Sequence, residues 1–163
     1  EIGVRLVGSE MCIRDSFAIN CLNVNSHKVW VSNTLLGAQW VVVLARLIVR
    51  GKNEGIHAFL VRIRHENGTI LPGVDIESMG MKLGDHGNDL AKLAFSQMKV
   101  PKEALLNRYS DISPEGVFSS SIAKPKERVF TAIQQLAFSR ICMACILMSA
   151  SKLAALIAIR FSA

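Results

Sequence analysis

Glycine and proline punctuate the chain as far as Pro125 and then cease, for Glu127 to Ala163 contains neither. Both residues interrupt regular structure, and the Ala, Leu, Ile and Met that fill the tail favour helix, so one long helix or two abutting ones is predicted there. Ahead of it, short apolar runs bounded by turn residues predict strands at Phe17 to Leu22, Lys28 to Val31, Trp40 to Val49, Ile56 to Arg64, Val74 to Ser78 and Leu90 to Val100. Gly51, Asn53 and Gly55 make a hairpin of the third and fourth, while Asn67-Gly68 and Pro72-Gly73 mark two more turns. Pro101 sits at a plausible first helical position before KEALL, and Tyr109 to Lys126 reads as a polar connector with Pro114, Gly116 and Pro125. The expected class is α+β: an antiparallel β-barrel or sandwich followed by a long helix. The tract GSEMCIRDS within residues 1–16 shares neither period nor composition with the segment from Phe17 onward and looks like a translated adapter scar.

Composition narrows the function. The formal net charge is +6, but the basic residues are scattered and only two Trp and one Tyr accompany them, so nucleic acid is not an expected partner. An acidic small molecule, such as a phosphate-bearing cofactor or a thioester, suits that excess as well. Cysteines at 12, 21, 142 and 145 form no disulfide framework. Cys142 and Cys145 make a C-x-x-C inside an apolar run, where core packing is favoured over redox or metal chemistry. No secretory signal opens the chain. Ile141 to Ile159 nearly reaches the roughly 20 apolar residues a membrane crossing needs, yet Lys152 stands in its middle. A buried bundle helix is therefore favoured over a membrane span.

His27, His57, His65 and His86 lack metal spacing, and no G-x-S-x-G, Walker or G-x-G-x-x-G motif occurs. KVWVSN at 28–33 stands out, because alternation along a strand sends Trp30 and Ser32 to one face. An indole beside a hydroxyl is suited to a flat heteroaromatic ring, packing on its face and bonding a heteroatom. Spacing alone leaves open the alternative that Trp30 is core and Ser32 merely ends the strand.

HKVWVSN, GAQWVVVLARL, GIHAFLVRIR, LPGVDIESMGMKLG, LAFSQMKVPKEALLNR and SKLAALIAIRFS, in this order, resemble the middle β domain and first C-terminal helix of peroxisomal acyl-CoA oxidases. The wider acyl-CoA dehydrogenase superfamily shares W-[IV]-[ST]-N, here Trp30 to Asn33, and the Val-Pro after the last strand, here Val100 and Pro101. The resemblance implies a middle β domain at 17–108, a connector at 109–126, and at 127–163 the start of a C-terminal helical bundle that the chain truncates. It implies FAD as cofactor, fatty acyl-CoA and O2 as substrates, trans-2-enoyl-CoA and hydrogen peroxide as products, a homodimer, and a peroxisomal location. A glutamate expected beyond Ala163 would take the alpha proton while the beta hydrogen leaves as hydride to the flavin. The catalytic base is thus not expected within 1–163, no metal is implied, and the chain by itself is expected to be inactive.

Residue by residue, Ser32 falls on the flavin-contacting position, Trp30 on the aromatic beside the ring and Asn33 on its neighbour. Arg140 matches an arginine near the active site, and Asp89 an aspartate in a loop that oxidases write NGVDNG. That loop reads HGNDLA here, so Leu90 and Ala91 replace Asn-Gly, and Ser139 replaces the glycine before Arg140. If those positions need positive φ, loop geometry should suffer. Two other readings stay open: an acyl-CoA dehydrogenase serving an electron-transfer flavoprotein, and a non-catalytic β module with a membrane-anchoring helix at 141–159.

Overall fold

A computed structural model describes residues 7–10, 16–84 and 87–162. Cys12, His86 and most of the tract 1–16 lie outside them. The strands are β1 (Val7–Glu10), β2 (Ser16–Asn20), β3 (Lys28–Ser32), β4 (Trp40–Val49), β5 (Lys52–Arg62), β6 (Val74–Ser78), β7 (Leu90–Phe95), β8 (Met98–Pro101), β9 (Ser110–Ile112) and β10 (Phe118–Ser120), followed by helix α1 (Pro125–Ser162). Short 3-10 turns occupy Val24–Ser26 and Lys102–Ala104.

The strands form three sheets, ordered β5-β4-β1-β2-β8, β3-β7-β6 and β10-β9. Among the described residues no barrel closes, which corrects the barrel half of the expectation. Nor is the pairing wholly antiparallel, because β1, from the tract set aside on sequence, lies parallel to β4 and antiparallel to β2. The two larger sheets share one core. Val43, Ala45, Leu47 and Val49 point into it from alternate positions of β4, Phe59 and Val61 from β5, and Leu93 and Phe95 from β7.

The β4–β5 hairpin turns at Arg50-Gly51, whose φ angles of 51° and 75° are the pair a two-residue type I′ turn requires. The expected strand from Leu90 to Val100 is instead two, parted at Gln97 by a φ of 48°. The expected polar connector holds a hairpin, β9 with β10, in which Ile112 is buried. Leu90 and Ala91 are buried in β7 and pair with Ser32 and Val31, so neither needs the positive φ suspected of that loop.

The chain divides into two compact units, one ending at Val129 and one starting at Phe130. In the first, Pro125 opens α1 as a residue without an N–H to waste should. The Arg128 guanidinium donates to the carbonyls of Ile122, Ala123 and Glu54 at 2.7–3.0 Å and lies 4.9 Å from the Phe118 ring centroid. His57 meets the same ring edge-on at 5.4 Å. Its Nδ1 donates to the Gly55 carbonyl at 3.3 Å, while Nε2 is buried without a partner.

Burial pushes the His57 imidazole below its ordinary value of 6.5, opposed by the Gly55 hydrogen bond, with the Arg128 charge lowering it and Glu54 raising it. The folded state therefore holds this ring neutral where the unfolded chain begins to protonate it, and stability grows with pH. The contribution is complete above about pH 6.5 and fades as pH falls through the depressed folded value. Urea unfolding at pH 7 and pH 5 should show a drop at the lower pH that shrinks in His57→Gln. An equal drop in both proteins would contradict the assignment.

In the second unit the side chains from Leu136 to Ser162 stand exposed, including Ile141, Leu147, Leu153 and Ile159. Cys142 and Cys145 are exposed on this helix as well. The hydroxyls of Ser149 and Ser151 donate to carbonyls four residues back, at 3.1 and 2.8 Å, so neither seeks an outside partner. Leu136–Ser162 is long and apolar enough to cross a membrane by length and composition, with mean hydropathy 2.1.

Candidate functional site

Trp30 and Ser32 lie on β3, an edge strand of the three-stranded sheet. Both are exposed, Trp30 at 61%, and half-buried Val29 and Val31 flank the indole on either side. Trp30 is therefore no part of this chain's core, while Ser32 does end the strand. The strand is not plain, however. Lys28 pairs with Leu93 and Val31 with Ala91, so three steps on β3 match two on β7, and the bulge carries Trp30 at φ 68°. A bulky residue in the left-handed region is an outlier that the surrounding structure must enforce, and such strain gathers at functional sites.

Asn33 comes next at φ 62° and opens a turn running to Gly37. Its carbonyl accepts from the N–H groups of Gly37 and Ala38 at 3.3 and 2.8 Å. Asp89 holds this turn. Its Oδ1 accepts from Asn33 N–H at 2.5 Å, and its Oδ2 from Leu35 and Leu36 N–H at 2.9 and 3.0 Å. A carboxylate is well suited to gather several backbone donors, since charge-assisted bonds are the stronger kind. Asp89 is thus brought to the strand end that presents Ser32, as a residue that fixes its backbone.

Ser32 pairs with Leu90, whose carbonyl also accepts from Met79 N–H at 3.1 Å, so these three residues mark one end of the sheet. Loops leaving that end carry Leu36, Met81 and Leu83, which are 84%, 95% and 109% exposed. Sequence reading missed this apolar rim, whose signal was MGMKL breaking the polar texture of a turn. An exposed indole, a free-standing hydroxyl and apolar side chains on adjoining loops fit a ring with apolar faces and polar edges. The flavin of FAD is such a ring. Arg140 is exposed on α1 in the second unit. Among the described residues no cluster of three or more His, Cys, Asp or Glu could hold a metal ion.

No family model matches the chain. Curated relatives do. It is 36% identical over 146 residues to an acyl-coenzyme A oxidase-like protein of Mus musculus, which covers 90% of this chain and 23% of that protein. It is 32% identical over 148 residues to the peroxisomal acyl-coenzyme A oxidase 3 of Arabidopsis thaliana, covering 91% of this chain and 22% of the other. The chain belongs to the acyl-CoA oxidase family. The chain spans less than a quarter of the length of these relatives. Its fold matches the crystal structure of acyl-CoA oxidase-1 of Caenorhabditis elegans complexed with FAD and ATP, with TM-score 0.65 and 27% identity, over 70% of this chain and 18% of the other.

Proposed function

We propose that the protein carrying this chain is a peroxisomal, FAD-dependent acyl-CoA oxidase that desaturates a fatty acyl-CoA and passes the electrons to O2. This chain would be its middle β domain and the first helix of its C-terminal bundle. The observation that carries the reading is the solvent-facing pair Trp30 and Ser32 at the end of β3, in a chain 32–36% identical to acyl-CoA oxidases.

FAD, when bound, would supply the two-electron acceptor for the desaturation. This chain's own residues bind and orient. The Trp30 indole would cover one face of the isoalloxazine and exclude water from it, and the Ser32 hydroxyl would donate to a heteroatom on the ring edge. Asn33 sets the direction in which the chain leaves the ring, and Asp89 keeps Asn33 where it is. By resemblance the carboxylate base lies outside 1–163, which makes this chain a holder of the cofactor and leaves proton abstraction to another part of the protein.

FAD titration of the intact protein, monitored by flavin fluorescence, tests the reading. Ser32→Ala should weaken binding by about fivefold, the worth of one net hydrogen bond. Trp30→Ala should weaken it by about tenfold or more, as loss of an aromatic stack does. Unchanged affinity in both variants would refute the site. The acceptor is tested separately: slow reoxidation of the anaerobically reduced protein on admitting air would favour an electron-transfer flavoprotein over O2.

The exposed apolar surface of Leu136–Ser162 favours a second reading, a β module anchored to a membrane. Resistance of the intact, colourless protein to carbonate extraction would select it.

A further inference from the structure

Arg64 has no part in the flavin contacts assigned to Trp30 and Ser32. It lies just past the end of β5, is 7% exposed, and is reached from sequence only as the basic end of a strand. Its Nη2 donates to the carbonyls of Thr34 at 2.6 Å and Leu35 at 3.1 Å, and its Nη1 to that of Gly68 at 3.3 Å. The Nε is buried without a partner, so the guanidinium accepts an imperfect fit to make these contacts.

The same two peptide groups are held from the other side. The peptide joining Thr34 to Leu35 gives its carbonyl to Arg64 and its N–H to Asp89 Oδ2. The peptide joining Leu35 to Leu36 does likewise, with its N–H 3.0 Å from the same oxygen. Two successive peptide dipoles thus lie side by side between a cation and an anion, each polarised in the sense that strengthens both of its hydrogen bonds.

We propose that Arg64 is a positioning residue for the cofactor side of the domain. With Asp89 it forms an ion pair relayed through the Thr34–Leu36 peptides, and this relay fixes the left-handed Asn33 and the outward aim of Ser32. The inference rests on the flavin reading of Ser32. The guanidinium bonds Thr34, Leu35 and Gly68 rather than Ser32 or Asn33, so its effect on the ring would be indirect.

Hydrogen exchange and FAD titration of the intact protein, unaltered and as Arg64→Met, test this. Arg64 makes no bond to the N–H groups of Leu35 or Leu36, so a residue that merely packs would leave their protection tied to that of the core. The relay predicts that both amides exchange about tenfold faster while amides of β4 and β5 stay unchanged, and that FAD binds several-fold more weakly. Arg64→Lys, which retains the charge without the fork, serves if the first variant does not fold, and should fall in between for both readouts. Unchanged exchange at Leu35 and Leu36, or an acceleration shared equally by the core, would overturn the relay. Ser32→Ala separates the two ideas. If it weakens FAD while Arg64→Met and Arg64→Lys do not, the positioning role fails and the flavin site stands; if the unaltered protein takes up no FAD, the functional reading fails and the positioning role with it.

Discussion

Asp89→Ala in the intact protein is expected to lower unfolding stability by about 3 kcal/mol, because bonds to a charged group are worth roughly 1.5–3 kcal/mol each and partial exposure discounts the sum. The N–H groups of Leu35 and Leu36 lose their acceptor at once, and that of Asn33 keeps only its longer bond to the Asp89 carbonyl at 3.3 Å. Solvent would reach some of them, but water does not restore the geometry that holds Asn33 at φ 62°. FAD affinity should therefore fall by about tenfold or more, beyond what loss of the Ser32 hydroxyl alone produces. Asp89→Asn keeps one oxygen and should lie between the two. Urea titration gives the stability and flavin fluorescence the affinity. A change below about 0.5 kcal/mol would mean the carboxylate is an ordinary surface group.

Phe59→Ala should cost more, about 3–5 kcal/mol. Phe59 is fully buried, meets Phe17 edge-on with centroids 5.3 Å apart, and faces Val43 across the β4–β5 ladder and Leu105 across an isolated bridge. Truncation leaves a cavity between the two larger sheets that rigid strands collapse into only in part. Domains are stable by about 5–15 kcal/mol, so much of the margin would go. Urea unfolding of the purified variant measures it, and a loss under about 1.5 kcal/mol would show that the sheets close over the gap. Because Phe59 takes no part in the hydrogen bonds that hold the 33–36 turn, FAD affinity of whatever remains folded should be nearly normal, which distinguishes this variant from Asp89→Ala.

How much of the fold the sequence revealed depends on how local each signal is. β4 and β6 start and end where their apolar runs do, since alternation and flanking turn residues act within a few positions. The helix was legible from the absence of Gly and Pro. The hairpin of β9 and β10 was hidden, because strands of three residues with one buried apolar side chain, Ile112, make no periodic pattern. The break at Gln97 and the bulge at Trp30 were hidden for another reason. Each uses a positive φ at a residue other than glycine, which tertiary packing imposes and no propensity announces. Barrel closure depends on pairings between distant strands, and alternation within a strand carries no information about them.

At the site, the sequence singled out Trp30 and Ser32, and both are exposed on β3, although the bulge at Trp30 interrupts the alternation from which they were paired. The grip of Asp89 on the turn was not, since its partners are backbone groups 53 to 56 residues away. Arg64 was read as a charged strand end and proved buried, because carbonyls of a neighbouring turn, unnamed by any side chain, receive it.

The most direct measurement is a crystal structure of the intact protein grown with FAD. The account predicts the isoalloxazine against the Trp30 indole, with the Ser32 Oγ about 3 Å from a ring heteroatom. A ring bound elsewhere, with Trp30 and Ser32 both left facing water, would contradict it.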